Sequence, residues 1–375
     1  MKKRGAIHGF IAAMAAAFLA TPAHAHQDME WMDYVSVSFG LTGVAQATSG
    51  NNYGEVKDQT DYAYSADVGF VGQIAEGHTL NLVLEAGEGD AAGDNIGSRA
   101  IPNYDAFISR TPDGETRMNV SQAYYEGTFF DGALVFAAGK MDHHAITDTN
   151  EYANDETSQF LNGLFVRSTG IVFSESPYYY GPTLALTVAP VEMVTLTYTY
   201  AKHDGEDFFS KGFQVAELAL HPVFGELAGN YRAGYLHQDN GFTDYKTGSQ
   251  KANTGFFVSL DQALSADVGL FFRYARQDDT LTENEVIGAI SGGAQFGGAL
   301  WGRETDTVGL AYGKVELNKD LVTENNDGES VFEAYYNVGI NEHLALSADV
   351  QVFSNLERPD TRNVTVYGLR LQAGF

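Results

Sequence analysis

The chain has 375 residues with 22 Lys+Arg against 49 Asp+Glu, a formal charge of −27 at pH 7, and no Cys. A field of that sign excludes a nucleic-acid binder, which needs clustered cations against phosphate; the lack of Cys excludes disulfide scaffolds, thiolate-held zinc, thiol nucleophiles and lipid attachment through a thiol. With 24 Phe, 21 Tyr and 2 Trp and only 19% charged residues, it is no disordered acidic tail either.

The first residues read as an export signal. Lys2, Lys3 and Arg4 form a positive start, Gly9 to Ala20 an apolar stretch, and Ala23-His24-Ala25 supplies the small residues a signal peptidase needs. As a helix that stretch would span about 18 Å against roughly 30 Å of hydrocarbon, too short for an anchor. Cleavage after Ala25 is expected. It would leave 26–375 with 19 cations and 49 acids, a net −30, and 26–34 is compatible with a short periplasmic lead.

Beyond that point the apolar residues recur with a period of two, the mark of strands with one apolar face. Val35, Val37, Phe39 and Leu41 alternate with Ser36, Ser38, Gly40 and Thr42; Ala66, Val68 and Phe70 with Asp67, Gly69 and Val71. In chain order, strands are predicted near 35–47, 62–74, 79–87, 120–130, 133–141, 170–175, 183–189, 193–202, 212–220, 228–237, 254–261, 264–276, 286–297, 305–317, 330–340, 343–353 and 363–375. Several run to about ten residues, the length a tilted membrane-crossing strand needs and longer than the roughly 5 to 6 of soluble domains. A soluble sandwich would alternate too, but with shorter strands. An exported chain with this pattern and no membrane helix is expected to close into an all-β transmembrane antiparallel barrel, since closure leaves no unpaired edge in lipid. The seventeen candidates must reduce or extend to an even number, and about 22 residues per strand with its share of loop favours sixteen over fourteen or eighteen.

Phe130-Asp131-Gly132-Ala133 and Ile340-Asn341-Glu342-His343 read as tight periplasmic turns. The polar stretches 87–119, 237–253 and 278–285 are expected outside, where their acids would suit divalent bridging to lipopolysaccharide, a solvated charge run being the simpler reading. Different in kind is Asp142 to Asn162, which follows Gly139-Lys140, shows no period, and is dense in Asn, Asp, Thr and Gln. Irregular backbone at membrane depth is tolerated only inside protein or a water-filled cavity. It is therefore expected to fold inward as a constriction loop, with Asn154 and Asp155 near the eyelet and Phe160 and Leu161 pinning its return.

The chain ends within its last strand. Tyr367, Leu369, Leu371, Ala373 and Phe375 share one face, while Gly368, Arg370, Gln372 and Gly374 share the other. Tyr367, Leu369, Leu371 and the terminal Phe375 resemble the mark by which outer-membrane assembly machinery takes its clients.

Three segments carry a family resemblance: Gly139-Lys140 with Asn154-Asp155 and Phe160-Leu161-Asn162; Trp301-Gly302-Arg303 with Asp306 and Gly309-Leu310-Ala311; and Glu333-Ala334-Tyr335-Tyr336 followed by Leu344 to Gln351, Gly368-Leu369-Arg370 and Phe375. In this order, over residues 120 to 375, they resemble the carbohydrate-selective porins, the OprB-like family. Ala348 stands where that family usually has Pro, and Ser354-Asn355-Leu356 replaces its Asn-Pro. The resemblance implies a sixteen-stranded outer-membrane pore for sugars and other small hydrophilic solutes. It also implies that Arg and aromatic side chains line the constriction, with Arg273, Arg303, Arg370, Trp301 and Lys140 as candidates.

The acids on the polar faces, Asp67, Glu85, Asp267 and Asp349, support a second reading, a cation-preferring ion pore without sugar selectivity. Asp142 and Asp155 stand with Asn154 and Phe160 as candidates of the constriction loop. Catalysis finds no support: the ten His have no Ser-centred elbow beside them, and His143-His144 on an extended chain would point to opposite faces and not chelate one metal. No cofactor or metal is expected. The expected partners are outer-membrane lipid and lipopolysaccharide, the assembly machinery, and sugars or ions as permeants.

Overall fold

A computed structural model describes residues 34–52, 54–109, 117–142, 145–168, 180–202, 212–322, 327–357 and 363–375. The export signal, the lead, His143-His144 and the strand predicted at 170–175 lie outside the described residues.

Ser36 to Phe375 form one compact unit built on a closed antiparallel sheet. Its strands are β1 (Val35–Ser49), β2 (Thr60–Ala75), β3 (His78–Gly89), β4 (Asn119–Phe129), β5 (Leu134–Asp142), β6 (Tyr180–Val191), β7 (Val194–Ala201), β8 (Phe213–Leu220), the two-residue β9 (Val223–Phe224), β10 (Leu227–Thr243), β11 (Gln250–Ser265), β12 (Val268–Gln277), β13 (Val286–Gly297), β14 (Thr307–Leu317), β15 (Ser330–Asn341), β16 (Leu344–Ser354) and β17 (Val364–Gly374). Each pairs with its neighbour in sequence, β8 pairs with β10 past the short β9, and β1 pairs with β17 to close the ring. Setting aside β9, which only tightens a turn, the barrel has sixteen strands.

Alternation decides which side chains face where. On β12, Leu270 and Phe272 are exposed while Phe271, Arg273, Ala275 and Gln277 are buried; on β17, Leu369 and Leu371 are exposed while Val366 and Arg370 are buried. Exposed large apolar side chains on a continuous sheet face suit lipid, and the buried set faces the lumen. Among the described residues no helix is long and apolar enough to cross a membrane.

Two expectations are corrected. The stretch 237–253 is mostly strand, because Gln238 pairs with Asn253 and Thr243 with Gln250, leaving only a short turn between β10 and β11. The connection after β3 does not stay outside: the short helices Gly93–Ile96 and Tyr104–Ser109 are carried inward, with Ala100, Asn103 and Ala106 almost wholly buried. Polarity marked that segment as loop, but its apolar residues needed a wall to pack on, and the lumen supplies it.

At the closure seam Phe39 and Phe375 exchange both backbone hydrogen bonds, at 2.9 and 3.0 Å, and the Phe375 ring stacks on His343 with centroids 4.5 Å apart. Deleting Phe375 removes that pair and the stack. The expected outcome is a clear drop in the heat-modifiable folded band on gels of outer-membrane fractions; a wild-type yield would show that the seam closes without it.

Candidate constriction and passage

The segment 145–168 leaves β5 and runs across the inside of the barrel, bonded to one strand after another. The Asp148 amide donates to Glu217 on β8 (2.8 Å), Asn150 Nδ2 donates to Ser259 Oγ and Leu260 O on β11 (3.2 and 3.1 Å), and the Tyr152 ring lies over Gly269 on β12. A Cβ at position 269 would stand 2.1 Å from that ring, so only glycine admits it. Farther on, the amides of Leu161 and Asn162 donate to the two carboxylate oxygens of Glu333 on β15 (2.6 and 3.1 Å). Asn162 Nδ2 reaches Gln351 on β16 (2.9 Å), and the Asn162 side chain caps the short helix Gly163–Val166 by accepting from Leu164 N.

Phe160 is fully buried between Phe165, Phe271 and Tyr335, with ring centroids 4.9 to 5.5 Å apart. The two inward connections also bond each other: Tyr104 N donates to Leu161 O and Gly163 N to Ile101 O, both at 2.9 Å. Pro102 O accepts from Gln46 on β1 (2.9 Å) and Gln351 on β16 (2.8 Å). The inward segments thus cover β1, β8 and β11 to β17, and the helix Tyr104–Ser109 also packs on β2 and β3, where Ser65 Oγ donates to Asp105 (2.8 Å). Open lumen borders β4 to β6.

The arginines serve that covering. Arg273 Nη2 donates to Ala153 O (3.0 Å), Arg370 Nη1 to Glu156 O (2.9 Å) and Arg167 Nη1 to Asn154 Oδ1 (3.0 Å), so three guanidinium groups clamp residues 153–156. Arg273 and Arg370 are 2% and 1% exposed, which leaves them no face toward a permeant. Their expected role as sugar ligands is corrected: they hold the loop. Asp349, 6% exposed, sits behind it with Gln351 and is likewise not a passage residue.

Four more candidates lie elsewhere. Lys140 is on the face of β5 opposite the buried Ala137 and Met141 and donates to Val120 O (2.6 Å), so it points away from the lumen. Asp267 falls in the turn between β11 and β12, its carbonyl held by Gly297 N (2.7 Å). Trp301 and Arg303 lie in the connection between β13 and β14, at the end of the barrel that carries the tight turns and opposite the end from which 145–168 enters. There Trp301 packs edge-on to Tyr336, and Arg303 forks onto Asp306. The physical reason is parity: a strand pattern gives a residue's face, but only strand counting gives its end.

Asn154 and Asp155 shape the loop from within. Asp155 accepts from Thr157 N (2.8 Å) and from the Thr157 and Ser158 hydroxyls, and Gln159 Oε1 accepts from both the Asn154 and Asp155 amides (2.7 and 3.0 Å). Asp142, at the end of β5, faces Arg167 Nη2 at 3.7 Å. What remains beside the passage is acidic. Asp67 and Glu85 are cross-strand partners on β2 and β3 and face inward, and Glu156 approaches them from 145–168; Asp105, on the other inward segment, lies behind, buried against Ser65 Oγ (2.8 Å). Sequence reasoning missed Asp105, Glu156, Arg167 and the anchor Glu333. Glu333 stands directly across from Gln351 in register, a pairing the inward alternation of both strands made readable.

A family model for carbohydrate-selective porins, the OprB family, matches residues 52–375. An uncharacterized protein of Aquifex aeolicus is 26% identical over 299 residues, 80% of each chain. Porin AaxA of Chlamydia abortus is 24% identical over 277 residues, 69% of this chain and 58% of the relative. Among solved structures, the high-pH structure of Pseudomonas putida OprB aligns with a TM-score of 0.76 at 17% identity, covering 92% of this chain and 96% of that one. A triple mutant of Rhodopseudomonas blastica porin aligns with a TM-score of 0.55 at 13% identity, covering 91% and 100%. At such identities the structures speak for the fold.

Two outcomes are expected. Phe160→Ala removes a buried ring worth about 3 to 5 kcal/mol of loop docking, so single-channel recordings should show higher or more fluctuating conductance; a steady wild-type level would show that the ring does not hold the loop. Burial pushes the Asp105 and Glu156 carboxyls up to about 7, Asp105 opposed by the Ser65 hydroxyl and Glu156 by Arg167. Both groups are neutral below that pH and anionic above it, so potassium-over-chloride preference, read as reversal potential in a salt gradient, should rise between pH 5 and 8 with a midpoint of about 7. Asp105→Asn with Glu156→Gln should flatten the curve, and a flat wild-type curve would count against the assignment.

Proposed function

The chain belongs to the OprB family of carbohydrate-selective porins, and from that premise we infer that sugars and other small hydrophilic solutes diffuse through it along the gap between the inward segments and β4 to β6. It is an outer-membrane porin, and the family and fold make it a channel. The observation that supports the route is the one-sided bonding of 148–162: its hydrogen bonds to the wall run to β8 and β11 to β17, while inward side chains of β4 to β6 border open space.

The constriction acts by exclusion and by water replacement. A permeant that fits exchanges water hydrogen bonds for those of Asp67, Glu85 and the loop side chains, and leaves again because none of these contacts is buried enough to hold it. A specific observation supports cation preference alongside sugar passage: the guanidinium groups nearest the loop are buried and turned to its carbonyls, while Asp67 and Glu85 face inward on β2 and β3. We also propose cleavage after Ala25, contacts of the outer wall with lipid and lipopolysaccharide, and recognition of Tyr367, Leu369, Leu371 and Phe375 by the assembly machinery. Exposure of Tyr367, Leu369 and Leu371 on one face of β17 supports the last.

Liposome swelling with sugars of rising size tests the route. Monosaccharides should enter rapidly and large oligosaccharides should not. Salt uptake without sugar uptake would replace the sugar channel by an ion pore. In the same preparation Asp67→Asn with Glu85→Gln should lower the potassium-over-chloride ratio several-fold, and an unchanged ratio would place the selecting charges outside the lumen.

A further inference from the structure

Beside the constriction, inward side chains of β4, β5 and β6 and the first described residues of the inward segment enclose a hollow of about 270 Å³. We propose that it is a docking niche for one neutral ring sugar, occupied during passage; the proposal rests on the reading of the chain as a sugar channel and names where a sugar pauses.

The floor is apolar. Val135, Ala137, Ala185 and Ile146 line it, and Ile146 packs on the cluster of Ala137, Met141 and Ala185. Such small side chains on adjacent strands make a shallow recess where larger ones would fill the wall. Its rim is polar on one side: Tyr124 and Glu126 come from alternate positions of β4 and Thr187 from β6. Among the described residues neither the Tyr124 hydroxyl nor the Glu126 carboxylate has a hydrogen-bond partner, although other polar side chains nearby do: Gln122 accepts from the Asp142 amide (3.3 Å) and Thr187 Oγ1 meets Thr197 Oγ1 (3.2 Å).

That combination fits the two sides of a pyranose. Its C–H face gains by covering apolar floor, and its hydroxyls can donate to a carboxylate, which only accepts, and exchange with a phenol, which does both. The volume is slightly below the roughly 300 Å³ at which sites for drug-sized ligands begin, so it suits one ring and not a chain of them. Location supports a pause on the route: Asp142 borders the niche and faces Arg167 of the constriction loop at 3.7 Å. An inorganic ion would find an apolar floor with no cage of ligands, and no group of three or more metal-binding side chains occurs among the described residues.

The test is glucose block of single-channel ion current in the full-length porin, each variant normalised to its own sugar-free current and checked for the heat-modifiable band. In the wild type, glucose should reduce or interrupt the current with a saturable concentration dependence. Tyr124→Phe and Glu126→Gln should each raise the half-blocking concentration about two- to tenfold, the loss of one hydrogen bond. Ala185→Trp, which fills the recess, should abolish saturation; Ala137→Val is the milder filling variant if the first does not fold. Saturable block that survives filling, or no saturable block in a wild type that still admits glucose into liposomes, overturns the niche. Failure of the wild type to admit glucose at all overturns the sugar-channel reading instead.

Discussion

Every backbone donor and acceptor at membrane depth must find a partner inside the protein, and this requirement governs the molecule. It forces the strands to pair around a full circle, it places the first and last strands side by side, and it makes the Phe39–Phe375 pair the last link of the ring. Closure then creates an interior that water fills unless side chains or loops do. The inward segments are the second answer to the same requirement: their irregular backbones are satisfied by Glu333, Gln351, Gln46, Arg273 and Arg370, all on the lumen face of the wall.

Holding a loop with buried arginine has an electrostatic consequence. A guanidinium taken out of water needs acceptors, and the carbonyls of Ala153 and Glu156 supply them without neutralising its charge. Asp148 adds a carboxylate 3.5 Å from Arg273. The cations thus stand behind the loop, while Asp67 and Glu85 face inward from β2 and β3. One interaction set therefore fixes the width of the passage and the sign of the charge that borders it.

The position of the gap follows from where the anchors are. Asn150, Tyr152, Phe160 and Asn162 all meet strands from β11 onward, so the loop leans to that side and touches the wall of β5 and β6 near its two ends, at Ile146 and Arg167. Small side chains at Ala137 and Ala185 then become recess and not packing surface. Had Gly269 or Gly309 carried side chains, Tyr152 and Tyr335 would have had to shift from their places.

Local alternation determined the barrel, because a strand's two faces meet lipid and lumen and the period of two is written residue by residue, as in Leu270, Phe272 and Tyr274 against Phe271, Arg273 and Ala275. The inward course of Asp142 to Asn162 was readable for the same reason, by the lack of any period in a segment closing on Phe160 and Leu161. Only the tertiary structure decided what the arginines do. An inward Arg looks the same in sequence whether it meets a permeant or a carbonyl brought from more than a hundred residues away, as Ala153 is to Arg273. The same holds for which end of the barrel receives Trp301 and Arg303, and for the inward turn of the connection after β3. Those outcomes depend on contacts distant in sequence, and alternation carries no information about a partner that the chain reaches only by closing on itself.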